Sequence, residues 1–146
     1  MACPYFMPTA KHESALWTHP TRLPLGAGWK GHCTAPEHDG EVPDDEQLRN
    51  SCNLGYARNC AWCPPDRPWD STRFGVSKES EQRITVCYVC EKEHHPVNHG
   101  TLEYDVVLER WNSRHPDERL QRMVESYMES YLLRKNARQD LVSNPQ

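Results

Sequence analysis

Apolar and polar residues alternate in two stretches of the second half of the chain. Segments 83–92 (RITVCYVCEK) and 101–108 (TLEYDVVL) each carry an apolar residue at every second position. Because successive side chains of a strand point to opposite faces, this pattern predicts two strands with one buried side each. A shorter strand is predicted at 73–76, and the three segments together predict an antiparallel meander.

The end of the chain has the period of an amphipathic helix. Between residues 116 and 136, apolar side chains recur at intervals of three and four, as in Leu120, Val124 and Met128. This spacing places them on one helix face. A proline and acidic residues at the start of this segment suit a first helical turn. A shorter helix is predicted from Pro43 to Cys52 on the same signals.

The first half of the chain shows no sustained period. Nine of the twelve prolines and five of the seven glycines lie within residues 1–70, which predicts a loop-rich segment. Because loops bury little apolar surface, such a segment needs a covalent or metal cross-link to stay ordered. The expected fold class is α+β, with a small three-stranded antiparallel sheet packed on a C-terminal helix and a loop-rich, metal-stapled N-terminal half. One domain is expected over 1–138, comprising a cysteine region at 1–70 and the meander and helix at 71–138, followed by a flexible tail at 139–146.

Composition and charge argue against several classes of protein. The net charge is −4 and the pI is near 6.0, whereas proteins that bind nucleic acid generally present a basic face. No apolar run reaches the length of about 18 residues that spans a membrane, and the first residues lack the pattern of a secretory signal. We therefore expect a cytoplasmic protein, in which seven cysteines stay reduced and serve a metal site or catalysis.

Two Cys-x-x-Cys pairs suggest a zinc ribbon. Cys60 and Cys63 precede Cys87 and Cys90 by a spacing close to that of zinc-ribbon proteins. However, Cys87 and Cys90 lie three positions apart within a predicted strand. Their side chains should face opposite sides, and they cannot bind one ion unless the strand breaks there. The ribbon is kept as an alternative.

The other candidate centre uses the cysteines of the N-terminal half. A four-thiolate site would tie distant loops together, and its binding free energy would contribute to folding. Zinc and a [4Fe–4S] cluster both accept four thiolates, but the wide spacing and the Cys-Pro steps at residues 3 and 63 favour the cluster. Zn²⁺ is the alternative, and spacing leaves open whether Cys60 or Cys63 completes the set. The five candidate thiols are Cys3, Cys33, Cys52, Cys60 and Cys63.

Several short motifs resemble a known family. The segments CPYF at 3–6, RLPLGAG at 22–28, CNLGYA at 52–57 and HGTLEYD at 99–105 are similar to those of a family of small, uncharacterised bacterial cysteine-rich proteins. The similarity covers most of the chain, and the other three cysteines lie outside the family pattern. The resemblance implies no activity. The ligands that it implies are Cys3, Cys33, Cys52 and Cys60.

These observations lead to one functional hypothesis and one alternative. The hypothesis is a small [4Fe–4S] cluster-binding protein that transfers electrons or orders part of a larger redox assembly, and therefore has a protein partner. The alternative is a zinc-binding, zinc-ribbon-like module with a structural or protein-interaction role. A thioredoxin-like role for the pair at 60 and 63 would need a helix where the sequence is rich in proline. No serine–histidine–aspartate or paired-carboxylate pattern indicates an enzyme.

Overall fold

The computed structural model describes residues 2–12, 23–54 and 60–143 of the chain. Six strands, two helices and one π-helical turn make up its regular structure within those residues. In chain order they are β1 (Phe6–Lys11), β2 (Trp29–Cys33), α1 (Asp45–Gln47), the π-helical turn (Leu48–Asn53), β3 (Ser71–Glu79), β4 (Arg83–Lys92), β5 (His95–Asp105), β6 (Arg110–Trp111) and α2 (Glu118–Ser143).

Strands β3 to β6 form one antiparallel sheet in the order β3-β4-β5-β6. The prediction for β4 is confirmed at both ends, and its alternate apolar residues are buried as expected. The expected fold class, α+β with a single three-stranded sheet, is wrong, because the described residues are mostly β and form two antiparallel sheets of two and four strands. The fourth strand of the larger sheet is β6, which pairs with β5 through Tyr104 and Asp105. A strand of two residues is too short for its alternation to be recognised in a sequence.

Strand β5 also begins earlier than its alternation predicts, at His95 rather than at residue 101. A two-residue turn, Glu93 and His94, connects it to β4, and both residues have positive φ, 50° and 65°. Turns of this kind usually contain Asn-Gly or Asp-Gly. Since neither residue here is a usual turn former and the first part of β5 is exposed on both faces, no sequence signal marks the start of the strand.

A second, two-stranded antiparallel sheet joins β1 and β2. The expectation of a loop-rich N-terminal half is therefore wrong, because the regular structure there is mainly strand. The proline and glycine that suggested loops have other roles. The register of the pair shifts just after Pro8, and a Cβ at Gly31 would lie 2.0 Å from the carbonyl oxygen of Met7. Proline at a bulge and glycine at a close backbone approach are both compatible with strands.

Apolar side chains form two buried clusters in the described residues. The N-terminal cluster consists of Ala2, Cys3, Tyr5, Phe6, Leu25, Ala27, Trp29, Cys33, Ala35, Leu48, Cys52 and Met123. The sheet cluster consists of Ile84, Val86, Tyr88, Cys90, Leu102, Leu120, Val124 and Met128. The N-terminal half thus has an apolar core of its own, of which three cysteines are members.

Helix α2 packs on both clusters. Its face at Leu120, Val124 and Met128 covers the four-stranded sheet, while Met123 enters the N-terminal cluster. Arg122 also donates hydrogen bonds from the helix to main-chain carbonyls of β1, at 2.9 and 3.1 Å. No helix in the described ranges is both long and apolar enough to cross a membrane.

Candidate functional site

Five cysteines border one small cavity beside the two-stranded sheet. The cavity volume is about 10 Å³, which corresponds to the space of about one water molecule. The thiols come from the segment before β1, the end of β2, the π-helical turn and the turn at residues 60–63. The lining residues are Cys3, Tyr5, Phe6, Cys33, Ala35, Pro43, Gln47, Ser51, Cys52, Cys60, Trp62 and Cys63.

Main-chain hydrogen bonds hold Cys3 against the π-helical turn. The Cys3 amide donates to the carbonyl of Cys52 at 3.1 Å, and the Cys3 carbonyl accepts from the amide of Phe6 at 3.1 Å. On the other side, Ala2 and Thr72 exchange two main-chain hydrogen bonds of 2.9 Å. The segment that carries Cys3 is thereby attached to both sheets, and the Cys3 side chain is directed into the cavity.

The loop after β2 positions Cys33. The Cys33 amide donates to the carbonyl of Glu41 at 2.9 Å, and its carbonyl accepts from the amide of Gly40 at 2.8 Å. Gly40 has φ of 87°, a conformation that glycine adopts without steric cost. The amide of Ala35 donates to the Cys33 sulfur at 3.3 Å, and an amide two residues beyond a cysteine commonly stabilises a thiolate in metal sites.

The π-helical turn presents Cys52. The predicted helix over 43–52 is only partly correct, because α1 has one turn, with its first residues capped by Asp44, and a π-helical turn continues it. Asn53 fixes the end of this turn. Its side chain accepts from the amide of Trp29 at 3.1 Å and donates to the carbonyls of Trp29 and Leu48 at 3.0 and 2.8 Å. These hydrogen bonds attach the turn to β2, next to the cysteine.

A short turn brings Cys60 and Cys63 to the open side of the cavity. The Cys63 amide donates to the Cys60 carbonyl at 3.1 Å, and Gln47 donates from its amide to the Cys60 sulfur at 3.5 Å. Trp62 stacks on His38 with ring centroids 4.6 Å apart and planes 7° apart. Both cysteines of the turn are half-buried, whereas the other three are buried, so the site lies just beneath the surface.

Burial makes two of the thiols, Cys52 and Cys33, weaker acids. It raises the pKa of the Cys52 thiol from 9.0 to about 12, and the neighbouring Cys60 and Cys33 thiols add to this shift. Burial also raises the pKa of Cys33. A thiol must lose its proton to bind a metal, so a cation at this site would have to stabilise the thiolates that burial disfavours.

The Cys3 and Cys63 side chains both line the cavity and affect each other's acidity. Their interaction is the largest cause of the raised pKa of Cys3, and burial adds to it. The same interaction is the largest cause of the lowered pKa of Cys63, which the positive charge of Arg67 lowers further. This interaction favours the proton on Cys3 and the negative charge on Cys63.

Thiol donors meet at this cavity, but they do not converge on one point. No three Cys, His, Asp or Glu side chains of residues 2–12, 23–54 and 60–143 form a group that could hold a metal ion as they stand. Metal binding therefore requires the thiols to reorient. For a cysteine this is a rotation of one torsion angle between staggered positions.

The cysteines of β4 lie elsewhere. The Cys87 thiol donates to the carbonyl of Gly75 at 3.2 Å, whereas the buried Cys90 thiol accepts a long hydrogen bond from Thr72 at 3.9 Å. The strand is unbroken between them, so the two side chains face opposite sides of the sheet. Neither lines the cavity that contains Cys60 and Cys63, and a zinc ribbon of these four cysteines has no support in the fold.

The cavity contains the four cysteines that the resemblance implies, and Cys63 in addition. Sequence reasoning did not identify Gln47, Asn53 or Arg67 as residues of the site. The Cys60-x-x-Cys63 spacing was a signal for Cys63, but no signal marks residues whose role depends on a partner far away in sequence. Comparison with models of known protein families, with curated proteins and with solved structures gave no match.

Proposed function

We propose that the chain binds a metal centre through four cysteine thiolates, and that the centre is a [4Fe–4S] cluster serving electron transfer or ordering part of a redox assembly. The observation that carries the proposal is the meeting of five cysteines from four separate segments at one cavity. The proposed ligands are Cys3, Cys33, Cys52 and Cys60.

Hydrogen bonds and charge around the cavity favour bound thiolates. The amide of Ala35 and the side chain of Gln47 already donate to ligand sulfurs, and such bonds stabilise the charge of a metal–thiolate centre. Arg67 lowers the pKa of the Cys63 thiol through its positive charge, and the guanidinium of Arg119 lies 4.9 Å from the centre of the Tyr5 ring in the cavity wall. Positive charge near the cavity would offset part of the negative charge of four thiolates.

The position of the site supports electron transfer. Its inner wall is apolar and buried, which is the environment that tunes a cluster potential. Its outer wall is the half-buried turn at 60–63, so a cluster here would lie one side chain from solvent. A docked redox partner would approach across Trp62 and His38, whose rings are stacked on that side.

Zinc is the second candidate, because the cavity is small. A volume of about 10 Å³ admits a single ion more readily than an eight-atom cluster, for which the turn at 60–63 would have to move outward. Zinc in a closed four-thiolate site would have a structural role.

Metal and sulfide analysis of protein purified without oxygen separates the two candidates. Iron and sulfide in equal amounts, with a brown colour that bleaches on reduction, support the cluster. One zinc per chain without sulfide supports the structural site and excludes the cluster. Protein that takes up neither metal after anaerobic reconstitution contradicts the proposal as a whole.

Single serine variants test the ligands. Serine at Cys3, Cys33, Cys52 or Cys60 should lower metal content per chain to near zero, because a neutral hydroxyl is a poor ligand for either metal. Cys87→Ser is the matched control, since Cys87 is a half-buried cysteine outside the cavity, and its metal content should equal that of the wild type. Loss of metal in the control and retention in Cys3→Ser would show that the ligands have been misassigned.

A further inference from the structure

The turn at residues 60–63, here called the cysteine turn, forms the outer wall of the cavity and is joined to β3 by a short connector. The connector, residues 64–70, contains three prolines, each of which fixes one main-chain torsion and stiffens the segment. Its far end is anchored, because Trp69 packs against the sheet cluster and Asp70 is buried. A displacement at Asp70 is therefore transmitted to the cysteine turn rather than absorbed within the connector.

Arg67 ties the two ends of the connector together. Its guanidinium donates to the carbonyl of Pro64, next to the cysteine turn, at 2.8 Å and to the carboxylate of Asp70 at 2.7 Å. The side chains of Arg67 and Asp70 are 10% and 4% exposed, so water competes little for these hydrogen bonds. A single group that bridges a carbonyl and a carboxylate needs the planar fork of arginine, which lysine lacks.

Asp70 also holds the turn that joins β4 to β5, formed by Glu93 and His94. Its second carboxylate oxygen accepts from the amide of Glu93 at 2.8 Å, and its own amide donates to the carbonyl of Glu91 at 2.7 Å. Glu93 and His94 have φ of 50° and 65°, a region that is unfavourable for residues other than glycine. Such a conformation persists because surrounding contacts hold it, and the hydrogen bond to Asp70 is one of these contacts.

We propose that Arg67 and Asp70 form a latch that closes the cysteine turn over the thiol cavity, and that the β4–β5 turn sets this latch. In the observed conformation, the Glu93 amide fixes Asp70, Asp70 fixes Arg67, and Arg67 retains the Pro64 carbonyl. Distortion of the β4–β5 turn releases this chain of hydrogen bonds, and the cysteine turn opens. The cavity is thereby controlled from a turn that is not part of its wall.

The latch has a consequence for the metal centre, and this consequence rests on the proposed function. A cavity of about 10 Å³ admits a cluster only after the cysteine turn has moved outward. Opening of the latch should therefore speed both entry and loss of the metal. The latch itself is a property of the metal-free chain and is tested without metal.

Amide hydrogen exchange in the reduced, metal-free full chain tests the latch with two variants of one residue. Glu93→Pro removes the amide that donates to Asp70, and proline cannot adopt a positive φ. Glu93→Gly, the matched control, keeps the amide and adopts this φ without steric cost. The reporter is the Cys63 amide, which donates to the Cys60 carbonyl at 3.1 Å within the cysteine turn.

The two variants should differ at the Cys63 amide. Its exchange should be at least about tenfold faster in Glu93→Pro than in the wild type, as expected for loss of a hydrogen bond to a charged group. In Glu93→Gly it should stay within about twofold of the wild-type rate, because the latch is kept.

A second variant tests the latch from its other end. Arg67→Lys keeps the positive charge but loses the fork that bridges Pro64 and Asp70. Exchange should again become faster at the Cys63 amide. Because coupling between two sites is reciprocal, exchange should also become faster at the Glu93 amide.

Val86, which is fully buried in the middle of β4, provides the reference amide. Its exchange rate should change little in Glu93→Pro and in Arg67→Lys, since the latch opens without unfolding the sheet. Equal acceleration at Val86 and Cys63 would show that the whole fold loosens, which overturns a local latch. An unchanged rate at the Cys63 amide in either variant also overturns the proposal.

Zinc uptake separates the latch from the metal proposal. Uptake by the reduced chain, followed with a chromophoric zinc indicator, should be at least about threefold faster in Glu93→Pro than in Glu93→Gly, because the open conformation is more populated. If the wild type binds neither zinc nor a cluster, the proposed function fails, and the exchange rates alone decide the latch. If zinc enters both variants at one rate while their Cys63 amides differ, control of the cavity by the latch is refuted.

Discussion

Replacing Asn53 with alanine should destabilise the protein strongly, although Asn53 is neither apolar nor a candidate ligand. Its side chain makes three hydrogen bonds, two to the main chain of Trp29 in β2 and one to the carbonyl of Leu48. Asn53 and Trp29 are each 1% exposed, so water cannot replace the lost partner without opening the structure.

The expected magnitude follows from the groups left without a partner. A buried polar group without a hydrogen bond costs about 1–3 kcal/mol. The Trp29 amide has one proton and loses its acceptor outright, while each carbonyl retains a second lone pair and loses less. We therefore expect Asn53→Ala to lower the free energy of unfolding by about 2–4 kcal/mol, a large share of the roughly 5–15 kcal/mol typical of a domain.

Asn50→Ala is the matched control, because Asn50 lies in the same π-helical turn and is exposed. It carries the same change in intrinsic helix propensity, about 0.5 kcal/mol in favour of alanine, without loss of a buried hydrogen bond. Urea unfolding of the reduced, metal-free chain, followed by both circular dichroism and tryptophan fluorescence, gives the two free energies. A difference between the variants below about 0.5 kcal/mol would refute the reasoning, since surface substitutions alone vary by that much.

Two further predictions concern the glycines of the strands and the acidity of a buried thiol. Gly31→Ala should lower the free energy of unfolding by about 1–3 kcal/mol or more, because the new Cβ would lie 2.0 Å from a main-chain oxygen of β1. Gly75→Ala is the control, because the atom nearest to its new Cβ would be 3.6 Å away. Its free energy of unfolding in the same urea assay should lie within about 1 kcal/mol of the wild-type value. Equal losses of stability in the two variants would show that the close approach at Gly31 does not matter. The pKa of the Cys52 thiol is raised from 9.0 to about 12 in the fold, so the thiol ionises in the unfolded chain at a lower pH than in the folded chain. The protonated thiol therefore contributes its full stabilisation of the metal-free chain below pH 9, and this stabilisation is lost progressively as the pH rises towards 12. The stability difference between wild type and Cys52→Ala should therefore fall by up to about 1.4 kcal/mol per pH unit in that range, and a constant difference would show that Cys52 titrates normally in the fold.

Local patterns determined a large part of the second half of the chain. Strand β4 was predicted at its observed ends because a buried face repeats every two residues along ten positions, and the period of the last helix indicated the face that covers the sheet. The opposite orientation of Cys87 and Cys90 also follows from strand geometry alone. These features depend on interactions between neighbours in the sequence, so the sequence suffices to find them.

Only the tertiary structure decided the N-terminal half. Pro8 in β1 and Gly31 in β2 fit a sheet only because of how these two strands pair. In the sequence alone, a proline and a glycine suggest loops. Helix α2 completes that half as well, through Met123 and Arg122. A pattern of alternation cannot reveal a partner that is about a hundred residues away.

The candidate site divides in the same way. The number of cysteines and their Cys-Pro and Cys-x-x-Cys contexts were enough to suggest a thiolate centre in residues 1–70. The sequence did not reveal the roles of Gln47, Asn53 and Arg67, because each role depends on a contact that only folding creates. Residue type determines what a thiol can do, and the folded chain determines which thiols meet, since here five of them line one cavity.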